Sequence, residues 1–250
     1  MPSIIPFEIK EMILNILDGE DDDHHSAMKT CSLVCHAFLH ICRKHIFEFI
    51  FLNEISSSTI RAFERLLRNT PEIGDYIREL VFFFRVDDLA NPLIQESFKR
   101  ISRLEILTVR PRITPRLDWS NNPIRPLLLH LLHLPTLTHF KVKDFNDFVV
   151  SDLIPCVNLK YLDIGFLTTV AAKNTFPATL PKQSIQLDHQ IGTPTIMNLC
   201  TAQRPDGQPI VDFGSLSKIK VDIGVPIEGE ALQDLFRHCH ALTHAQITCK

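Results

Sequence analysis

Cysteine and histidine crowd one short stretch of this 250-residue chain: Cys31, Cys35, His36, His40, Cys42 and His45, with His24 and His25 just upstream. Such side chains bind metals, and a thiolate can attack an electrophile. Cys31 and Cys35, like His36 and His40, stand four residues apart, a separation that one helical turn brings together. The two pairs nonetheless face different ways, because each residue of offset turns a helix by about 100°. They do not converge on one ion, and structural zinc sites usually draw their ligands from turns. Buried thiols and surface histidines are therefore expected, with no metal and no cofactor. Catalytic patterns are missing as well: there is no Gly-x-Ser-x-Gly elbow, no Gly-rich phosphate loop and no His-Glu-x-x-His pair. A non-catalytic protein is expected, and an α/β enzyme is the alternative this absence weighs against.

The elements that would position these residues are set within firm bounds. Hydrophobic residues make up 45% of the chain and charged residues 22%, which is globular composition. A net charge of -3 argues against the basic footprint of nucleic-acid binding. The longest leucine-rich run, Pro126 to Pro135, is far short of the roughly 20 apolar residues that span a bilayer. The opening MPSIIPFEIK lacks the basic start and long apolar core of a signal peptide. Seven cysteines without framework spacing point to reduced thiols, hence to the cytosol or nucleus, with neither membrane nor nucleic acid as a partner.

Two helices are expected before Phe49. Pro6 suits the first helical position and Glu8 the positive end of the dipole. Ile5, Ile9, Ile13 and Leu17 recur at i+4, with Met12 and Ile16 widening the stripe. An acidic turn over Asp18 to Asp23 then leads to a second helix from about Ser26 to Lys44. That helix carries Cys31, Cys35, Phe38 and Cys42 on one stripe and Leu33, Ala37 and Ile41 on another, with Val34 between. A helix apolar around so much of its girth must be covered on several sides. A unit of this size buries roughly 60% of its surface or less and is marginal alone.

IPFEIKEMIL followed by SLVCHAF resembles the F-box, carried by Ile5-Pro6, Glu8-Ile9, Ile13, Leu17, Leu33-Val34-Cys35 and Phe38. Two positions depart from its pattern: Ile5 replaces the usual leucine, and Phe38 stands where tryptophan is common. The resemblance implies that residues 1–52 dock on a Skp-type adaptor of a cullin-RING ubiquitin ligase through Ile5, Pro6, Ile9, Ile13, Leu33, Val34, Cys35 and Phe38. It implies that residues 53–250 select the substrate.

Behind this module an apolar-x-x-apolar-x-apolar skeleton recurs: Ile77/Leu80/Phe82, Leu104/Leu107/Val109, Leu137/Phe140/Val142, Leu159/Leu162/Ile164, Leu216/Ile219/Val221 and Leu242/Ala245/Ile247. A weak copy at Ile185/Leu187 divides the one double-length gap. Helical stretches precede the copies: Ile60 to Leu67, Leu93 to Ile101, Leu127 to Leu134, Phe148 to Cys156, Ile196 to Ala202 and Ala231 to Cys239. One helix and one strand every ~20–30 residues is the pattern of a leucine-rich-repeat solenoid. The asparagine that usually follows the strand is absent, and the array resembles the degenerate repeats often attached to F-boxes. The expected fold is thus α+β/α/β, a helical F-box followed by a degenerate leucine-rich-repeat-like solenoid; an ordinary α/β domain with a parallel sheet is the alternative. A repeat scaffold that binds proteins without any ligase role is the alternative function.

Strand parity turns the skeleton into a map of the opposite face. One row reads Thr108, Lys141, Asp163, Lys220, Gln246, and another Ile106, His139, Tyr161, Lys218, His244. Arg110, Lys143, Gly165, Asp222 and Thr248 form a third. Arg110, Lys141, Lys143, Tyr161, Lys218 and Lys220 are the candidate substrate-binding residues, suited to an acidic or phosphorylated protein segment; a plain solvated face is the other reading. The proline-rich stretch Arg110 to Pro126 is expected to be a surface loop, with Trp119 folded back onto the domain rather than held out for a partner. Gln203 to Pro209, with Asp206-Gly207, reads as a turn. No polar cap follows the last predicted strand, so a partner or further chain is expected over that edge.

Overall fold

A computed structural model of the chain describes residues 9, 12, 28–53, 57–85, 91–112, 117–165, 170–171, 184–186, 189–192, 196–223 and 226–249. Helix α1 (His36–Glu48) runs directly into β1 (Phe49–Asn53). There follow α2 (Ser57–Asn69), a 3-10 turn (Pro71–Asp75), β2 (Glu79–Phe84), α3 (Pro92–Phe98), β3 (Ile106–Pro111), β4 (Leu117–Asp118), α4 (Arg125–Leu132) and β5 (His139–Val142). Next come β6 (Phe145–Asn146), β7 (Phe148–Val149), a second 3-10 turn (Val150–Leu153), β8 (Tyr161–Ile164), β9 (Val170–Ala171), β10 (Ile185–Gln186) and β11 (His189–Gly192). The chain closes with α5 (Ile196–Thr201), β12 (Val211–Asp212), β13 (Lys218–Ile223), α6 (Pro226–His238) and β14 (His244–Cys249). Among the described residues, no helix is long and apolar enough to cross a membrane.

The protein is a mixed α/β structure built on one eight-stranded sheet in the order β1-β2-β3-β5-β8-β11-β13-β14. Every pairing in it is parallel, and the strands lie side by side in chain order. Parallel sheets usually have both faces covered and read as continuous apolar runs. Here burial alternates. Leu80, Phe82 and Phe84 are buried while Glu79, Val81 and Phe83 are half-exposed, and β3 and β5 repeat the pattern. Helices therefore cover one face and leave the other accessible.

The skeleton residues of β2, β3, β5, β8 and β13 form the covered face, whereas Ala245 and Ile247 of the last copy, on β14, are exposed. Leu80, Phe82, Leu107, Val109, Phe140, Val142, Leu162, Ile164, Ile219 and Val221 all belong to one continuous core. Aromatic rings knit its first half: Phe98 lies 5.3 Å from both Phe63 of α2 and Phe82 of β2. Gly74 allows the closest approach, since a Cβ there would sit 2.3 Å from the Arg100 carbonyl oxygen. Helix starts follow local chemistry: the Asn91 side chain accepts from the Leu93 N–H at 3.0 Å, with Pro92 in the first turn of α3.

One backbone device recurs at the entrance to successive strands. The carbonyl of Arg78 accepts from the N–H groups of Glu105 and Ile106, and that of Glu105 from Thr138 and His139. The Thr138 carbonyl does the same for Lys160 and Tyr161, and the Ser217 carbonyl for Thr243 and His244. Each strand thus sets the start of the next. Thr138 and Thr243 add hydroxyl bonds to the same carbonyls, at 3.1 and 3.0 Å.

Trp119 folds inward as expected, but the stretch expected as a loop is partly regular: Arg110 and Pro111 end β3, Leu117–Asp118 form β4 and Arg125 starts α4. Trp119 is fully buried, 4.7 Å from Phe148, and its indole N–H donates to Asp152 at 2.6 Å. Asp152 also takes two bonds from Arg125, both 2.8 Å, and its carbonyl accepts from His133 at 2.9 Å. One carboxylate thus ties both Trp119 and Arg125 to the second 3-10 turn, about 30 residues later in the chain. The turn near residue 206 is also present, with Gly207 at φ 80° and a Gln203–Pro209 bridge.

Four sequence expectations need correction. The expected helix from Ser26 to Lys44 is interrupted: residues 28–32 are helical, Leu33 and Val34 turn, and Cys35 is extended at φ -163° before α1 begins. Residues 49–52, taken with the N-terminal unit, are the backbone of the sheet's first strand. The missing central strand is β11 rather than Ile185/Leu187; Ile185 instead starts β10, which pairs with β12 outside the main sheet. Phe148 to Cys156 contains a short strand and a 3-10 turn where a helix is expected.

Candidate binding surfaces

The first surface is the turn ahead of α1. Met28, Ile41 and Cys42 form a small core of their own, with Cys31, Phe38 and Ile46 packed against it. Phe38 thus lies on the inner side. Backbone bonds from Leu33 to Thr30 and from Val34 to Cys31, both 3.1 Å, close the turn. Its side chains have nowhere to go but outward: Leu33 is 85% exposed and Val34 69%. Cys35 and, further up the chain, Ile9 and Met12 are exposed too. Ile5, Pro6 and Ile13 lie outside the described residues. The break also separates Cys31 from Cys35, which no longer share one helix.

The second surface is the accessible face of the sheet, and its register reproduces the rows read from the sequence. Ile106, His139, Tyr161, His189, Lys218 and His244 are aligned across adjacent strands. So are Thr108, Lys141, Asp163, Ile191, Lys220 and Gln246. Lys141 Nζ lies 5.4 Å from the Tyr161 ring centre, and that ring stacks on His139 at 5.3 Å. A cation above a ring of this kind is held by the ring's quadrupole.

Asp163, which the sequence reading placed in the row without assigning it a role, is the centre of the arrangement. It is buried, and Lys143 Nζ approaches its carboxylate at 3.7 Å. Gly165 makes room for that reach, because a Cβ there would meet Lys143 Cγ at 2.3 Å. Burial raises the Asp163 pKa above the usual carboxylate value, while Lys143, Lys141 and Lys220 pull it down without prevailing. Three ammonium groups therefore surround one reluctant carboxylate, and the patch stays cationic. Burial, and then Asp163, raises the Tyr161 pKa, so the phenol keeps its proton and can donate to an anion.

Not every candidate sits in that cluster. Arg110 is turned to Asp144, with Nε at 2.6 Å from the carboxylate. Asp144 holds φ 62°, a left-handed backbone that aspartate tolerates better than most residues. Lys218 lies one row away, on the same strand as Lys220. At the other end the face is apolar: Phe49 and Phe51 of β1 are 49% and 47% exposed, and Phe51 meets Phe83 edge-on at 5.6 Å.

A cavity of about 530 Å³ opens between α5 and α6, lined among others by Cys200, Val211, Asp212, Phe213, Asp234 and His238. Burial, then Cys239 and Asp234, push the Cys200 thiol up to about 12, leaving it protonated and unreactive at neutral pH. Its walls come from positions spread over 38 residues of chain, and no local pattern marks them in the sequence. No protein-family model matches this chain, and no curated protein aligns with it significantly.

Proposed function

We propose that the chain is a non-catalytic substrate-recognition subunit. Its N-terminal segment docks as an F-box on a Skp-type adaptor of a cullin-RING ubiquitin ligase, in the cytosol or nucleus, and its sheet presents a protein substrate. The observation that carries the docking half is the Leu33–Val34 turn, two large apolar side chains held out in water by a small core behind them. Covering such side chains with an apolar partner surface is favourable by about 25 cal/mol per Å². For the recognition half, support comes from eight parallel strands in chain order with one accessible face. Degenerate leucine-rich-repeat-like units stacked as a solenoid would give that order and that bare face. The cations Lys141, Lys143 and Lys220 around Asp163 favour an acidic or phosphorylated segment.

The test is co-expression of the full chain with a Skp-type adaptor, followed by size-exclusion chromatography. The double variant Pro6→Ala, Val34→Asp is expected to lose co-elution while keeping the wild-type circular dichroism and melting transition. Undiminished co-elution of that variant rejects the docking half. A wild-type chain that ignores the adaptor yet binds proteins through its sheet is a scaffold instead. Reversing Lys141 and Lys143 to Glu should abolish binding of an acidic segment at low salt, and retention of binding removes the recognition half.

A further inference from the structure

The accessible face of the sheet is divided. Its first strands offer rings, Phe49, Phe51 and Phe83, beside the half-exposed Val81 and Ile106. Beyond β3 it offers Lys141 on β5, Lys143 just after it, the Tyr161 phenol on β8 and Lys220 on β13. The exposed phenylalanines lie on β1 and β2, and the lysines lie beyond β3, where the His139 and Tyr161 rings stand beside Lys141. We propose that the substrate is an extended peptide segment read at two points, an aromatic or large aliphatic residue on Phe49, Phe51 and Phe83 and an acidic or phosphorylated residue on the Lys141–Lys143–Lys220 cluster. This deepens the recognition half of the function proposed above and rests on it.

The sheet sets the distance between the two points. Neighbouring strands lie about 4.8 Å apart. Phe83 on β2 and Lys141 on β5 are separated by β3 alone, and Phe51 on β1 lies one strand further out. Measured to Lys141, the two points are about 10–14 Å apart, which an extended chain covers in about three to four residues, and Lys220 on β13 lies three strands beyond Lys141. Single-stranded nucleic acid also combines stacking with cations. The net charge of -3 favours the peptide.

Fluorescein-labelled peptides titrated into the full chain, read by anisotropy, test this directly. Each peptide carries a phosphoserine pair and one Phe, joined by Gly-Ser spacers of one to ten residues. The peptide with a spacer of two or three is expected to bind at least tenfold tighter than its Phe→Ser counterpart, and the advantage should fade at ten. In the Phe51→Ser chain the ratio between those two peptides should fall toward one. Equal affinity for the paired peptides, or indifference to spacer length, overturns the two-point inference while phosphopeptide binding itself stands. The peptide-side comparison holds even where a chain variant folds poorly. Absence of any phosphopeptide binding, or binding that survives Lys141→Glu, overturns the recognition half and this inference with it. A ten-nucleotide single strand that binds more tightly than every peptide assigns the face to nucleic acid and also overturns it.

Discussion

The two faces of the main sheet share the same strands and the same backbone yet follow different rules. On the covered face one chemistry recurs from β1 to β13, from Leu52 through Phe82, Val109, Phe140 and Leu162 to Val221. On the accessible face the chemistry changes every few strands, from exposed rings to stacked His139 and Tyr161 to a lysine cluster. A residue on the first face touches the rest of the core, so its identity is constrained by packing. A residue on the second touches its row neighbours and water. Packing constrains the first face more than the second, and substitutions should separate the two.

The largest expected effect tests that division at its strongest point. Phe82→Ala removes a fully buried ring that contacts Phe84 and Phe98, and should lower stability by about 3–5 kcal/mol. Phe51→Ala, one strand away but on the accessible side, should change it by less than about 1 kcal/mol. Urea unfolding followed by far-UV circular dichroism compares them. Equal losses would mean that the rings of β1 belong to the core and that the face is not free for recognition.

Next in size comes the carboxylate that joins the proline-rich insert to the core. Asp152→Ala strands the buried Trp119 N–H and leaves the half-buried Arg125 guanidinium without its counter-charge, an expected loss of about 3 kcal/mol. Asp152→Asn keeps an acceptor and should lose less. Tryptophan fluorescence reads the site itself, since Trp119 is the single tryptophan of the chain. A red shift at a lower urea concentration than the circular dichroism transition would show the insert leaving first. Coincident transitions in both variants at the wild-type midpoint would show that the network adds nothing to the core.

How much of this could be read beforehand follows from the same contrast. Period-two parity is rigid, so the apolar skeleton identified the covered residues of every copy but the exposed last one and, by exclusion, the rows Thr108–Lys141–Asp163–Lys220–Gln246 and Ile106–His139–Tyr161–Lys218–His244. Where polarity does not alternate, the sequence is mute. Phe49-Ile50-Phe51-Leu52 is apolar on both sides and follows a helix without Gly or Pro, so nothing announces a strand. Leu33-Val34-Cys35 likewise contains no helix breaker, and the turn arises from tertiary packing of Met28 against Ile41 and Cys42. Strand β11 lacks the skeleton and is recognisable only from its partners β8 and β13. The Arg110–Asp144 and Lys143–Asp163 pairs depend on distances that no spacing rule supplies. The sequence could name the cations but not their partners.

The smallest effect carries the sharpest sign. Asp163 has a folded pKa above its ordinary value of 3.8, because burial outweighs the three lysines. Between that ordinary value and the raised one, the folded state binds more proton than the unfolded state, so stability falls as pH rises through the window. Above the window the loss is complete; below it the loss is gone. Asp163→Asn removes the titration and should therefore stabilise the protein at about pH 7, with the advantage shrinking as the pH approaches about 4. Paired melting curves at the two pH values measure the difference. An advantage that grows on acidification would mean that the lysines dominate and that the carboxylate is there to hold them. The expected direction says the opposite: the accessible face keeps a charged group that weakens the fold. The same variant should bind the phosphoserine peptides more tightly, because it withdraws one negative charge from the lysine cluster.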